Sequence, residues 1–90
     1  AWEQLEPNFE TILAEPGNLP ARSAMQLGAH FAGMAIEAAM LGVCHSCANP
    51  LTAHYGITHG VAVGLMLPHV VRFNAPVVED LYSQLGASAE

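Results

Sequence analysis

Two histidines, His45 and His59, and two cysteines, Cys44 and Cys47, fall within one stretch, GVCHSCANPLTAHYGITHG, at residues 42–60. Imidazole nitrogen binds divalent metals at about 2 Å. The two histidines stand fourteen residues apart, and on one straight helix, at about 1.5 Å per residue, that is about 21 Å. They can share an ion only if the chain folds back between them. Pro50 and Gly56 lie in that interval, so a helix end bearing His45 and a helix start bearing His59 could converge on one metal. The competing reading makes them unrelated, one a helix cap and the other a core histidine with a satisfied hydrogen bond. Spacing alone leaves both open.

The cysteines admit other chemistries. Cys44 and Cys47 form a C-x-x-C pair, but no strand leads into it as in a thioredoxin-like redox centre; a long helical pattern precedes it instead. A zinc site from Cys44, Cys47, His54 and His59 has suitable ligand types, but only six residues separate the two pairs, against about a dozen in a C2H2 finger. Haem attachment requires a histidine directly after the second cysteine, where this chain has Ala48. Both cysteines read best as small apolar fillers.

The elements that must position these residues read as helices. Trp2, Leu5, Phe9, Ile12 and Leu13 recur at helical spacing over Trp2 to Ala14, with Pro7 inside the run as a start or a kink. EPGNLP at residues 15–20 is turn chemistry ending in a proline suited to a first helical turn. A second helix then runs from about Pro20 to about Leu41. Its polar residues Arg22, Gln26, His30 and Glu37 form one narrow stripe, so most of its circumference should be buried, and Gly28 and Gly33 should allow close helix approach. Gly42 should end it, and a short helical piece should carry His45 before Pro50 intervenes. HGVAVGLMLPHVVRFN, residues 59–74, fits a helix kinked near Pro68. Ala75 and Pro76 should open a last helix with Val77, Val78, Leu81, Tyr82 and Leu85 inward and Gly86 as its cap. The expected fold is all-α, a bundle of four or five helices in a single domain over residues 1–90.

Composition narrows the function classes. The net charge is −6, with two arginines and no lysine, which removes the electrostatic footprint of a nucleic-acid or anionic-membrane binder. A membrane span over the second helix is disfavoured by Gln26, His30 and Glu37 and by the lack of flanking lysines. The chain is 52% apolar and only 11% charged, against about 25% charged in an ordinary soluble domain. Ninety residues cannot enclose that much apolar surface, so a partner is expected, most simply a second copy in a homodimer. The chain starts at Ala1 and shows no basic-then-apolar leader, so it reads as a piece of a longer protein. Two cysteines make no disulfide framework, which points to a reducing, cytoplasmic setting.

LGAHFAGMAIEAAMLGVCHSCANPLTAHYGITHGVAVGLMLPHVVRFNAP, residues 27–76, resembles the metal-binding helical domain of the iron-containing (group III) alcohol dehydrogenases almost continuously. The features that carry the resemblance are AGMAI on the long helix, G-x-x-H, a proline–leucine pair, and H-G opening a helix that ends LPHVVRFN. The resemblance implies that His45 and His59 bind a divalent metal, iron or zinc. It implies a parent oxidoreductase that moves hydride between a small alcohol or aldehyde and NAD or NADP, with the metal as Lewis acid.

The family completes its metal sphere with an aspartate and a third histidine from a D-x-x-x-H segment, and binds the nucleotide in an N-terminal domain. Neither is in this chain, so the chain alone is expected to be inactive. A further departure is Asn49, where the family often has a proton-relaying histidine four residues after the first ligand. An amide can orient a water or substrate but cannot be the relay base; His54 is the nearest substitute, with a capping or solvent-facing role as its alternative. Ile36 and Met40 are candidates for the substrate pocket or for plain core. The rival to the enzyme-fragment reading is a stand-alone helical interaction module in which both histidines are structural.

Overall fold

The structure is a computed structural model that describes residues 1–86. Among the described residues it is all-α, with four helices and no strand: α1 (Trp2–Ala14), α2 (Leu19–Ala39), α3 (Val43–Tyr55) and α4 (His59–Gln84). The chain divides into two compact units, Ala1–Met40 and Leu41–Glu90, each a packed helix pair.

In the first unit α1 runs through Pro7, whose missing N–H removes one bond of the helical ladder. The turn that follows is held by side chains. The Asn18 carbonyl oxygen accepts from the Ala21 N–H at 3.0 Å, its amide donates to Glu15 Oε2 at 2.9 Å, and the Arg22 guanidinium donates to the Pro16 carbonyl. Asn18 is thus the N-cap of α2, with Pro20 in the first turn, where no partner for its nitrogen is needed. Gly28 is buried directly beneath Leu5 of α1. Gly33, expected to serve the same purpose, has nothing within 4 Å of where a Cβ would stand.

Two further expectations for α2 need correction. It ends at Ala39 rather than near Leu41, with Met40 as its cap at φ 65, ψ −178, a region costly for a side chain. Gly42 does not end this helix; its carbonyl accepts from the Ser46 N–H at 3.2 Å and starts α3. Nor is most of α2 buried: within its unit only Ala21 and Gly28 are, while Leu27, Phe31, Met34 and Ile36 are exposed. A single partner helix covers a single strip, whatever the composition of the others.

In the second unit α3 continues through Pro50 to Tyr55 and stops at Gly56, which takes the left-handed conformation (φ 67, ψ 20) and donates its N–H to the Thr52 carbonyl at 3.0 Å. α4 runs on through Pro68. The expected break before the last helix is present, but as a kink at Val78 (φ −129, ψ 20), two residues past Pro76, rather than as a new start at Ala75 and Pro76. Gly86 has φ 74 just beyond the helix, the left-handed position a glycine cap supplies. Of the residues expected inward, Val78 and Tyr82 are half-buried, but Val77 is 86% exposed and Leu81 and Leu85 are exposed too. The buried apolar set is small side chains: Ala21, Ala48, Ala62, Val70 and Ala75. By length and composition α4 could also cross a membrane, a property that core helices share.

Candidate metal centre

The centre is built from two helix starts. Gly42 begins α3, which places Cys44 and His45 in its first turn; the Gly56 turn then reverses the chain so that His59 opens α4. His45 therefore lies at the start of a helix rather than at an end, and the reversal is made by Gly56 rather than by Pro50. The result brings the two imidazoles together, with ring centres 5.2 Å apart and planes tilted by 42°. His45 is half-buried and His59 exposed.

That separation can be tested against a metal. With bonds of about 2.1 Å, two imidazoles on one tetrahedral ion have ring centres about 5 Å apart. The ring separation thus matches that of two ligands on a single ion. Among the described residues, however, no group of three or more His, Cys, Asp or Glu side chains gathers to hold one, so Cys44, Cys47 and His54 do not complete the set. Electrostatics point the same way. Both imidazoles sit at helix N-termini, which carry positive partial charge and favour anions. A cation there needs a carboxylate from elsewhere.

What keeps the two starts together is close helix packing. Ala48 lies three residues after His45 and Ala62 three after His59, and both have 0% of their surface exposed. Side chains this small let α3 and α4 approach closely beside the imidazoles. Cys44 Sγ donates to the Val63 carbonyl at 3.6 Å. Sequence reasoning singled out neither alanine; their only trace is helical spacing from the two histidines.

The remaining candidates are dispersed. Asn49 is exposed one turn after His45. His54 is exposed in the last turn of α3, where a basic side chain suits the carbonyl end of a helix. Ile36 and Met40 belong to the first unit, both exposed, so they are not core there. An open groove on α2 is lined by His30, Gly33, Met34, Glu37 and Ala38 and includes neither. Thr52 Oγ1 is buried without a hydrogen-bond partner.

Comparison with known proteins adds an independent finding. A family model described as "Fe-containing alcohol dehydrogenase family, C-terminal" matches residues 1–88, across both units. Lactaldehyde reductase of Escherichia coli (strain K12) is 41% identical over 69 residues, covering 77% of this chain but 18% of the reductase. NADPH-dependent butanol dehydrogenase of Clostridium saccharobutylicum is 38% identical over 69 residues, with the same coverage of 77% and 18%. Methanol:N,N-dimethyl-4-nitrosoaniline oxidoreductase of Rhodococcus erythropolis is 31% identical over 86 residues, 96% of this chain and 20% of that enzyme. The chain thus spans about a fifth of the length of these relatives. No solved structure gives a match of comparable significance.

Proposed function

Because this chain belongs to the Fe-containing alcohol dehydrogenase family, we propose that it supplies the helical metal-binding part of a metal-dependent alcohol dehydrogenase, with His45 and His59 as two of the ligands. The observation that carries this reading is the 5.2 Å approach of the two imidazoles across the Gly56 turn. Residues 1–90 then act as part of one domain, and the aspartate, the third histidine and the NAD or NADP site are contributed by other segments of the enzyme. One relative's name specifies NADPH, so NADP stands beside NAD as the nucleotide of the whole enzyme. The bound metal, iron or zinc, supplies Lewis acidity toward a small alcohol or aldehyde.

The chain's own residues have narrower tasks. His45 and His59 present neutral nitrogen donors. Asn49, one turn beyond His45, orients a water or the substrate hydroxyl through its amide. His54 is the one histidine of α3 besides His45, and it is the side chain assigned to carry the alcohol proton. Ile36 and Met40 contribute apolar surface to the substrate pocket. The chain by itself lacks both charge compensation and nucleotide, so it does not turn over. The exposed apolar faces of α2 and α4 are covered in a homodimer, and the enzyme is cytoplasmic with no nucleic-acid or membrane partner.

The test is alcohol-dependent reduction of NAD or NADP by an iron- or zinc-loaded polypeptide that carries this chain after a nucleotide-binding domain. His45→Ala and His59→Ala should each remove at least about 99% of the activity, as expected on losing a metal ligand. Full activity in either variant would overturn the assignment.

A further inference from the structure

The second unit packs its two helices together almost without hydrogen bonds between them. Among the described residues a single hydrogen bond crosses from α3 to α4, that from Cys44 Sγ to the Val63 carbonyl at 3.6 Å. Its location is informative. Cys44 immediately precedes His45, and Val63 lies four residues after His59, one turn along the same face of α4. The bond therefore ties the first turn of α3, which carries His45, to the turn of α4 directly after the one that carries His59. Beside it Ala48 and Ala62 are both fully buried; side chains this small allow close approach but, having only a methyl group, do little themselves to fix how one helix is rotated or slid along the other, and the larger half-buried Leu51 and Met66 lie farther along the two helices.

We propose that Cys44 is a positioning residue: through Sγ–H···O=C to Val63 it sets the register of α3 on α4 and so holds His45 and His59 at the separation at which both can face one ion. This rests on the reading of the two histidines as metal ligands. Cys47, one turn further along α3, makes no such bond and is not part of the device. A thiol suits the position physically. It is long enough to reach a carbonyl on the neighbouring helix, weak enough as a donor to cost little in desolvation, and close in size to the small apolar residues beside it.

The experiment uses the 90-residue chain, with the imidazole carbons labelled, and two readouts. The first needs no metal: the cross-relaxation peak between the His45 and His59 rings, whose centres lie 5.2 Å apart. The second is the affinity for cobalt(II), followed by the shifts of the same two rings. In Cys44→Ala the ring–ring peak should weaken or vanish and cobalt affinity should fall about two- to fivefold, the worth of a weak S–H···O contact. Cys44→Ser, which keeps a donor, should retain most of both, and Cys47→Ala should change neither. Should Cys44→Ala fail to fold by circular dichroism, Cys44→Val, which fills the space the alanine leaves but lacks the donor, is read in its place. An unchanged ring–ring peak in the donor-less variants, or an equal loss in Cys47→Ala, overturns the proposal. If cobalt binds the wild-type chain without shifting either ring and yet Cys44→Ala loses the peak, the ligand reading fails while the positioning role stands.

Discussion

Substituting alanine at Gly28 and, separately, at Gly33 should move stability in opposite directions although both glycines lie on α2. A Cβ added at Gly28 would stand 2.7 Å from Cγ and Cδ2 of Leu5 and 3.1 Å from Cβ of Gln4. Carbon atoms in contact prefer about 3.5–4.0 Å. The Leu5 branch must therefore move by about 1 Å, while the Gln4 Cβ, attached to the backbone, can move only with α1. Forcing an extra methyl into such a contact costs about 1–3 kcal/mol, against a gain of about 1 kcal/mol from replacing a helical glycine by alanine. The clash wins, and Gly28→Ala should be destabilised by about 1 kcal/mol. At Gly33 nothing lies within 4 Å, so only the propensity gain of about 1 kcal/mol remains. Urea unfolding followed by far-ultraviolet circular dichroism measures both, and the variants should differ by about 2 kcal/mol. If Gly28→Ala stabilises as much as Gly33→Ala, α1 does not pack on α2 as described.

Three further outcomes are expected. Asn18→Ala removes the cap of α2, whose oxygen accepts the Ala21 N–H at 3.0 Å, and should cost about 1 kcal/mol in the same assay. Gly56→Ala forces a side chain into φ 67 at the turn that reverses the chain toward His59; it should cost about 1–2 kcal/mol and weaken the contact between the two imidazole rings in the same spectrum. For the homodimer, sedimentation equilibrium at micromolar concentration should give twice 9.5 kDa, because α4 leaves Leu65, Phe73 and Val77 exposed; a monodisperse monomer that binds no hydrophobic dye contradicts it.

Local signals carried much of the fold. The EPGNLP turn ending in Pro20 marked the start of α2 within a residue, because proline placement is decided by neighbours in the chain; the Asn18 cap itself emerged from the structure. Gly56 was legible as a turn for the same reason. Pro50 and Pro68 misled, since helices of this length tolerate the loss of one ladder bond when tertiary contacts hold the flanking turns, whereas Pro76 marked the break in α4 to within two residues, at Val78. Burial was the least legible property. An apolar helix such as α2 shows what could be covered, whereas the structure shows what lies beside it within its unit, and there α1 alone does. At the candidate centre, the folding back of His45 on His59 was left open by spacing and implied by the resemblance. The Cys44 bond to a backbone carbonyl was not, because any residue at position 63 offers the same acceptor.

The central claim, that His45 and His59 form one metal locus, is tested most directly by titrating the chain with zinc while recording the ring nitrogens of all five histidines. Both rings should shift together, weakly and with a common midpoint, because two neutral donors at helix N-termini lack a compensating carboxylate. His30, His54 and His69 should stay behind, and His45→Ala should abolish the response of His59. Independent midpoints for the two rings, or zinc binding that survives His45→Ala, would contradict the account.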